Sequence, residues 1–207
     1  MSTIFVIKEG LVQTDKQKAK RKQIIDAAIN CFAEKGFHAT STAEICKAAG
    51  MSPGNLFHYY PSKVSIIEAI AIEDQCYFEQ ILNSIKETDS AIESVILVMT
   101  RLLELYNDPT YVRISIEIFA EASRSPEINR IFAENDKKLK DRLTSIILDG
   151  VTSGEIDSQL DATNTVSWLM IIADGSIGRY LIDPNFDWKN SLESLIYMMK
   201  KMLSPKI

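Results

Sequence analysis

Apolar residues recur at three- and four-residue intervals along almost the whole chain after residue 15, which is the period of an amphipathic helix. Ile25, Ala28 and Phe32 form one stripe. Ile67, Ile70, Ala71, Asp74, Phe78, Ile81 and Ile85 continue over a stretch that could run more than six turns without Gly or Pro. Further stripes are Ile92, Val95, Met99, Leu102 and Tyr106, then Ile128, Phe132, Leu139, Leu143, Ile146 and Gly150, and finally Trp188, Leu192, Leu195, Met199 and Met202. No alternating strand pattern and no internal repeat stands out. The pattern predicts an all-α chain of about nine helices, four before residue 87 and the rest in a C-terminal bundle.

The boundaries carry chemical signals. Ser41 with Glu44, and Ser90 with Glu93, have capping-box spacing. Asp108-Pro109 and Ser125-Pro126 each place a cap residue before proline at a first helical position. Asp183-Pro184 ends the helix before it, because a residue preceding proline avoids the α region. Gly36 is expected to close the first helix in the left-handed conformation.

The stretch from Gly36 to Lys63 holds two short helices. Ser41 caps the first, Gly50 permits a sharp turn, and Ser52 caps the second with Pro53 at its first position. Two short helices joined by a glycine-bearing turn make a helix-turn-helix, with Ile45, Ala49, Met51, Leu56 and Tyr60 as its core. The amino end of the second helix offers unsatisfied N–H groups to a phosphate. Gly54 keeps the backbone accessible, Asn55 suits an adenine edge, and Phe57 a thymine methyl. His58 follows, and the Tyr59 hydroxyl, Thr40, Thr42 and Lys63 suit phosphate oxygens, as does a basic cluster of Lys18, Lys20, Arg21 and Lys22.

Charge supports that reading once it is divided. The whole chain of 207 residues has a net charge of −5. Residues 1–63 hold nine Lys or Arg against five Asp or Glu, a local +4, so the remainder carries −9. One end is suited to a polyanion and the other is not.

Residues 16–63 resemble the DNA-binding domain of the TetR family of bacterial regulators. The resemblance rests on Gly36, Thr40, Thr42, Ile45, Ala48-Ala49-Gly50, Ser52, Gly54, Leu56, Tyr59, the aromatic Tyr60, and Lys63. It departs at Phe57, where the family often has tyrosine, and at Tyr60, where phenylalanine is usual. Residues 112–182 are similar to the BetI/AcrR-like group of ligand domains. The resemblance implies an Ω-shaped homodimer on double-stranded operator DNA, and repression relieved by a small-molecule effector bound in the C-terminal bundle. The expected organisation is a tail over 1–14, the helix-turn-helix domain over 15–62, and an effector and dimerisation domain over 63–207.

The remaining expectations are less local. Met99, Leu103, Tyr106, Ile116, Phe119, Trp168 and Ile172 are candidate linings of an effector site. Glu117, Glu121 and Asp174 sit among apolar neighbours. One buried without a partner would attract a cationic or amine-bearing ligand, whereas pairing with Arg113, Arg124 or Arg179 would not. Residues 165–182 are apolar on nearly every side, so the two-fold interface is expected from 127–152 and 162–182. Three cysteines without paired spacing give neither a disulfide framework nor a zinc signature. His38 and His58 lack partners at metal-ligand spacing, and no nucleophile arrangement or phosphate loop stands out, so neither metal, cofactor nor catalysis is expected. No apolar run is long enough for a membrane span or signal peptide, which implies a cytoplasmic protein. The alternative is a small-molecule binder or enzyme that kept the fold and lost DNA binding.

Overall fold

A computed structural model describes residues 14–86, 90–183 and 185–205, with the side chain of residue 180 left out. These form ten helices and no strand: α1 Asp15–Lys35, α2 Thr42–Ala48, α3 Pro53–Tyr59, α4 Lys63–Asn83, α5 Ala91–Leu105, α6 Pro109–Ala122, α7 Pro126–Ser153, α8 Ala162–Ser176, α9 Arg179–Ile182 and α10 Trp188–Leu203. The tail expected over 1–14 lies outside the described residues except for Thr14, which caps α1 by accepting from the Gln17 N–H at 3.3 Å. Asp183 is extended at the end of α9, and Pro184 lies outside the described residues. None of the described helices is long and apolar enough to cross a membrane.

Most of the capping signals act as their chemistry dictates. Ser41 and Glu44 form a complete capping box. Ser52, Asp108 and Ser125 each accept a backbone N–H with proline in the first turn. Two signals act differently. Ser90 accepts from the Glu93 N–H, and the two N–H groups between them are capped from elsewhere. The Glu155 carboxylate, 64 residues along, accepts from the N–H groups of Ala91 and Ile92 at 2.8 and 3.0 Å. Gly36 has φ +85° but ψ 158°, so it closes α1 in an extended, glycine-favouring conformation rather than the left-handed helical one. The α4 helix also stops at Asn83, short of Ile85, with the Ser84 hydroxyl donating to the Ile81 carbonyl at 2.6 Å.

Two apolar clusters organise the helices. The first joins Ile24, Phe32, Ile45, Leu56, Tyr60, Ile66 and Ile67 to Ile114 and Ile118 of α6 and Ile128 of α7. The second gathers Val95, Met99, Leu102, Leu139, Leu143, Leu169, Met199 and Leu203 from α5, α7, α8 and α10. The α4 helix feeds Ile66, Ile67 and Ile70 into the first and Ile81 into the second, so one continuous rod crosses both. The α6 helix packs against α1 on one side and α7 on the other, so the helix-turn-helix rests on the bundle through α4 and α6 together.

Candidate functional site

The α3 helix turns its apolar side, through Leu56, into the first cluster and leaves the rest outside. Ser52, Pro53, Gly54, Asn55, Phe57 and His58 are exposed and Tyr59 is half-buried. Phe57 is 45% exposed, an apolar ring in water with no internal duty. Gly54 is equally informative. Its φ is not positive, and a Cβ built there would meet nothing within 4 Å. Glycine in a helix costs up to about 1 kcal/mol relative to alanine. Neither backbone strain nor crowding inside the protein requires the bare backbone there.

The polar neighbours divide. Thr42 is half-buried at the start of α2. Thr40 corrects its expected role, because it is only 1% exposed and its hydroxyl donates to the carbonyls of Gly36 at 2.8 Å and Cys31 at 3.1 Å. Lys63, half-exposed, is engaged within the fold as well. Its ammonium donates to the carbonyls of Phe37, Thr40 and His38 at 2.6, 2.8 and 3.4 Å, and lies 4.4 Å from the centre of the Phe37 ring. Burial holds the Lys63 pKa below the usual lysine value, in keeping with a cation spent inside the fold. Three carbonyls of the α1–α2 turn point at one place, and the lysine satisfies them.

The basic arm is also partly engaged. Lys22 bridges Asp26 and Glu73 at 2.8 and 3.0 Å. The Arg21 guanidinium lies 5.3 Å from the Tyr60 ring centre and 5.9 Å from that of Tyr59. Burial pushes the Tyr60 hydroxyl above the usual tyrosine value, and the neighbouring Arg21 works against that shift. Lys18 is exposed, and the half-buried Lys20 contacts the Gln23 side chain at 2.9 Å.

Residues 24–70 match the family model for bacterial regulatory proteins of the tetR family. The chain is 30% identical over 147 residues to the fatty acid metabolism regulator protein of Bacillus subtilis, covering 70% of this chain and 75% of that protein. The chain belongs to the TetR family. UidR, a transcriptional regulator of Escherichia coli K12, is 29% identical over 165 residues, covering 79% of this chain and 82% of UidR. Salmonella enterica GusR superposes with a TM-score of 0.70 at 27% identity, covering 88% of this chain and 96% of GusR. FadR of Bacillus subtilis, solved with stearoyl-CoA, superposes with a TM-score of 0.75 at 25% identity over 87% of this chain and 98% of FadR. This TetR-family chain is therefore a DNA-binding transcriptional regulator, of a family whose members bind operator DNA, form dimers and bind small-molecule effectors.

Within this TetR-family bundle, a cleft of about 390 Å³ opens between α4, α5, α6, α7 and α8. Tyr106 and Tyr111 stack along it, ring centres 5.8 Å apart, and Phe119 and Phe132 meet at 5.9 Å. Of the expected lining, Tyr106 and Phe119 face this cleft. Leu103 and Ile172, again with Tyr106, line a smaller one of about 100 Å³ against α10. Three expected residues belong elsewhere. Met99 is fully buried in the second cluster. Ile116 is exposed, because Tyr111, Ser115, Phe119 and Ala122 share the cleft-facing stripe of α6 and Ile116 lies about 100° round the helix from Ser115. Trp168 is 63% exposed on the outer side of α8. Tyr111, Phe132 and Asn135, which do line the cleft, escaped the sequence reading, since a stripe of apolar residues does not reveal which of its members borders empty space.

The carboxylates also sort by position. Glu121 pairs with Arg124 at 3.1 Å, as one alternative had it, but also with His38 at 2.7 Å. Glu117 accepts the Phe37 N–H at 2.7 Å. Both acids of α6 therefore hold the α1–α2 turn, the same turn Lys63 gathers from the other side. No periodicity signals a contact between residues 80 apart. Asp174 lines the cleft, and its carboxylate has no hydrogen bond or ion pair among the described residues.

Proposed function

We propose that the chain is a cytoplasmic, non-catalytic homodimeric repressor, released from its operator by a small molecule in the bundle. Residues 15–62 read DNA and residues 63–207 bind effector and partner. The observation that carries the reading is the exposed amino end of α3, where Gly54 and Phe57 have no internal role. Two such helices would enter successive major grooves roughly 34–36 Å apart on a two-fold operator. The faces 127–152 and 162–182 are the proposed dimer interface, supported by exposed Leu148, Trp168, Ile171, Ile172 and Ile182. Trp168 belongs to that face rather than to the effector site.

The α6 helix is the proposed link between effector and DNA. Tyr111, Ser115, Phe119 and Ala122 face the cleft, while Glu117 and Glu121 grip the turn that leads into α2. An effector that favours a shifted α6 would move that turn and lower operator affinity by its own differential affinity for the two states. Glu117→Ala should leave effector binding intact and weaken the coupling between effector and operator by roughly tenfold. Titrating effector against protein alone and against the protein–DNA complex measures that coupling.

The DNA reading is tested on genomic fragments selected by the full-length protein, with affinity measured across salt. Specific binding that weakens steeply with salt supports it, and equal affinity for random DNA sinks it in favour of a binder that has lost its operator. Asn55→Ala is expected to lose about 1 kcal/mol on the selected sequence and to relax preference at one base position. Gly54→Ala is expected to leave the melting temperature unchanged or slightly raised while weakening operator binding. A parallel loss of stability would show that the glycine serves the fold instead.

A further inference from the structure

A helix that enters a DNA groove needs cations beside it to hold the phosphates. Around α3 most of the obvious ones are committed elsewhere. Lys63 holds the α1–α2 turn, Lys22 lies between Asp26 and Glu73, and Lys35 pairs with Glu44 at 2.6 Å. Lys20 donates to the Gln23 side chain. Lys16, Lys18 and Lys47 are exposed and have no ion pair among the described residues, and no contact fixes where their side chains point. Ordering such a side chain on a phosphate costs rotamer entropy.

Arg21 differs from both groups. It has no ion pair among the described residues, yet its place is fixed. Its guanidinium lies over two rings at once, those of Tyr60 and Tyr59. Tyr60 is 4% exposed within the first cluster, and Tyr59 packs against that cluster, so the core of the helix-turn-helix holds both rings. Two residues further along, the Gln23 amide donates to the Ala49 carbonyl at 2.7 Å and ties this part of α1 to the end of α2. An aromatic face attracts a cation without neutralising it, as a carboxylate in the same place would. Arg21 is only partly buried, so its charge remains available at the carboxyl end of α3, beside Tyr59 and the exposed His58.

We infer, resting on the proposed DNA reading, that Arg21 is the fixed phosphate-binding cation of the reading helix, with Tyr59 and Tyr60 as its positioning residues. Its ligand is a backbone phosphate of the duplex at the junction of α1 and α3. A flat guanidinium can grip two oxygens of one phosphate, which an ammonium cannot. With Lys63 holding a turn, the role passes to Arg21.

The test measures binding of the full-length protein across salt, to a selected genomic duplex and to a random duplex of equal length, with melting temperatures taken without DNA. Arg21→Gln is expected to weaken binding by about tenfold for each subunit bound. The salt slope should become smaller by about one for each subunit. Both duplexes should be affected alike, because a phosphate carries no sequence, and the melting temperature should move little. Arg21→Lys keeps the charge and should keep the slope, yet lose affinity severalfold. In a double-mutant cycle, Tyr60→Leu should shrink the loss caused by Arg21→Gln. If Tyr60→Leu does not fold, Tyr59→Leu at its half-buried position supplies the cycle. The inference is overturned by an Arg21→Gln protein whose salt slope is unchanged, by an Arg21→Lys protein that binds like the wild type, or by additive losses in the cycle. A wild type that prefers the selected duplex while Arg21→Gln leaves the slope alone keeps the operator reading and removes this role. Equal binding to both duplexes, with a slope still lowered by Arg21→Gln, does the reverse. A wild type that binds neither duplex sinks both.

Discussion

Lys63→Met is expected to destabilise the protein by about 3 kcal/mol, the loss of charge-assisted hydrogen bonds to the α1–α2 turn. The methionine keeps most of the stem's packing, so the loss isolates the ammonium. The carbonyls of Phe37 and Thr40 would be left without their donor in a part-buried site, and the Phe37 ring would lose its cation. Thermal denaturation should show the drop without DNA present. Operator affinity well below the melting temperature should fall much less, with the salt slope unchanged. An unaltered melting temperature together with a salt slope smaller by about one would return Lys63 to the phosphate role.

Asp74→Asn is expected to stabilise the protein by about 2 kcal/mol at pH 8 relative to pH 5. Burial, and secondarily the charge of Glu73, push the Asp74 carboxyl from 3.8 up to about 7, against a hydrogen bond from Tyr111 that favours its ionised form. Between those two values the folded protein binds more protons at this site than the unfolded chain does. Wild-type stability therefore falls as pH rises through that window and levels off above it. Asparagine mimics the protonated acid at every pH, so its advantage is smallest below pH 4, is already present at pH 5 and is largest above pH 7. Chemical denaturation of both proteins at the two pH values measures the difference. A pH-independent difference would show that Asp74 ionises normally. Tyr111 links this acid to the cleft, since its ring stacks on Tyr106 there. Effector affinity should therefore be measured at a stated pH.

The proposed link between cleft and DNA has two routes. One is α4, a single long helix beginning at Lys63 and crossing both clusters. The structure adds α6, which reaches the same turn through Glu117 and Glu121. Under the proposed function, holding the turn from two helices would let it respond to the cleft without α4 having to bend.

By itself, the amino-acid sequence determined the features that depend on neighbours three and four residues apart. Those are the helical period, the caps at Ser41 and Ser52, the turn at Gly50 with φ +60°, and the small exposed helix that follows. Interactions that close within one turn are written in the residues that make them, and so the helix-turn-helix and its family were legible. Tertiary structure alone decided where long side chains are spent and which apolar stripe borders a void. Lys63 and Thr40 turn inward because the carbonyls of residues 31–40 converge there, and Glu155 caps a helix 64 residues away. Ile116 and Trp168 face outward while Tyr111 and Asn135 line the cleft, because amphipathicity names an apolar side of a helix but not the neighbour it meets.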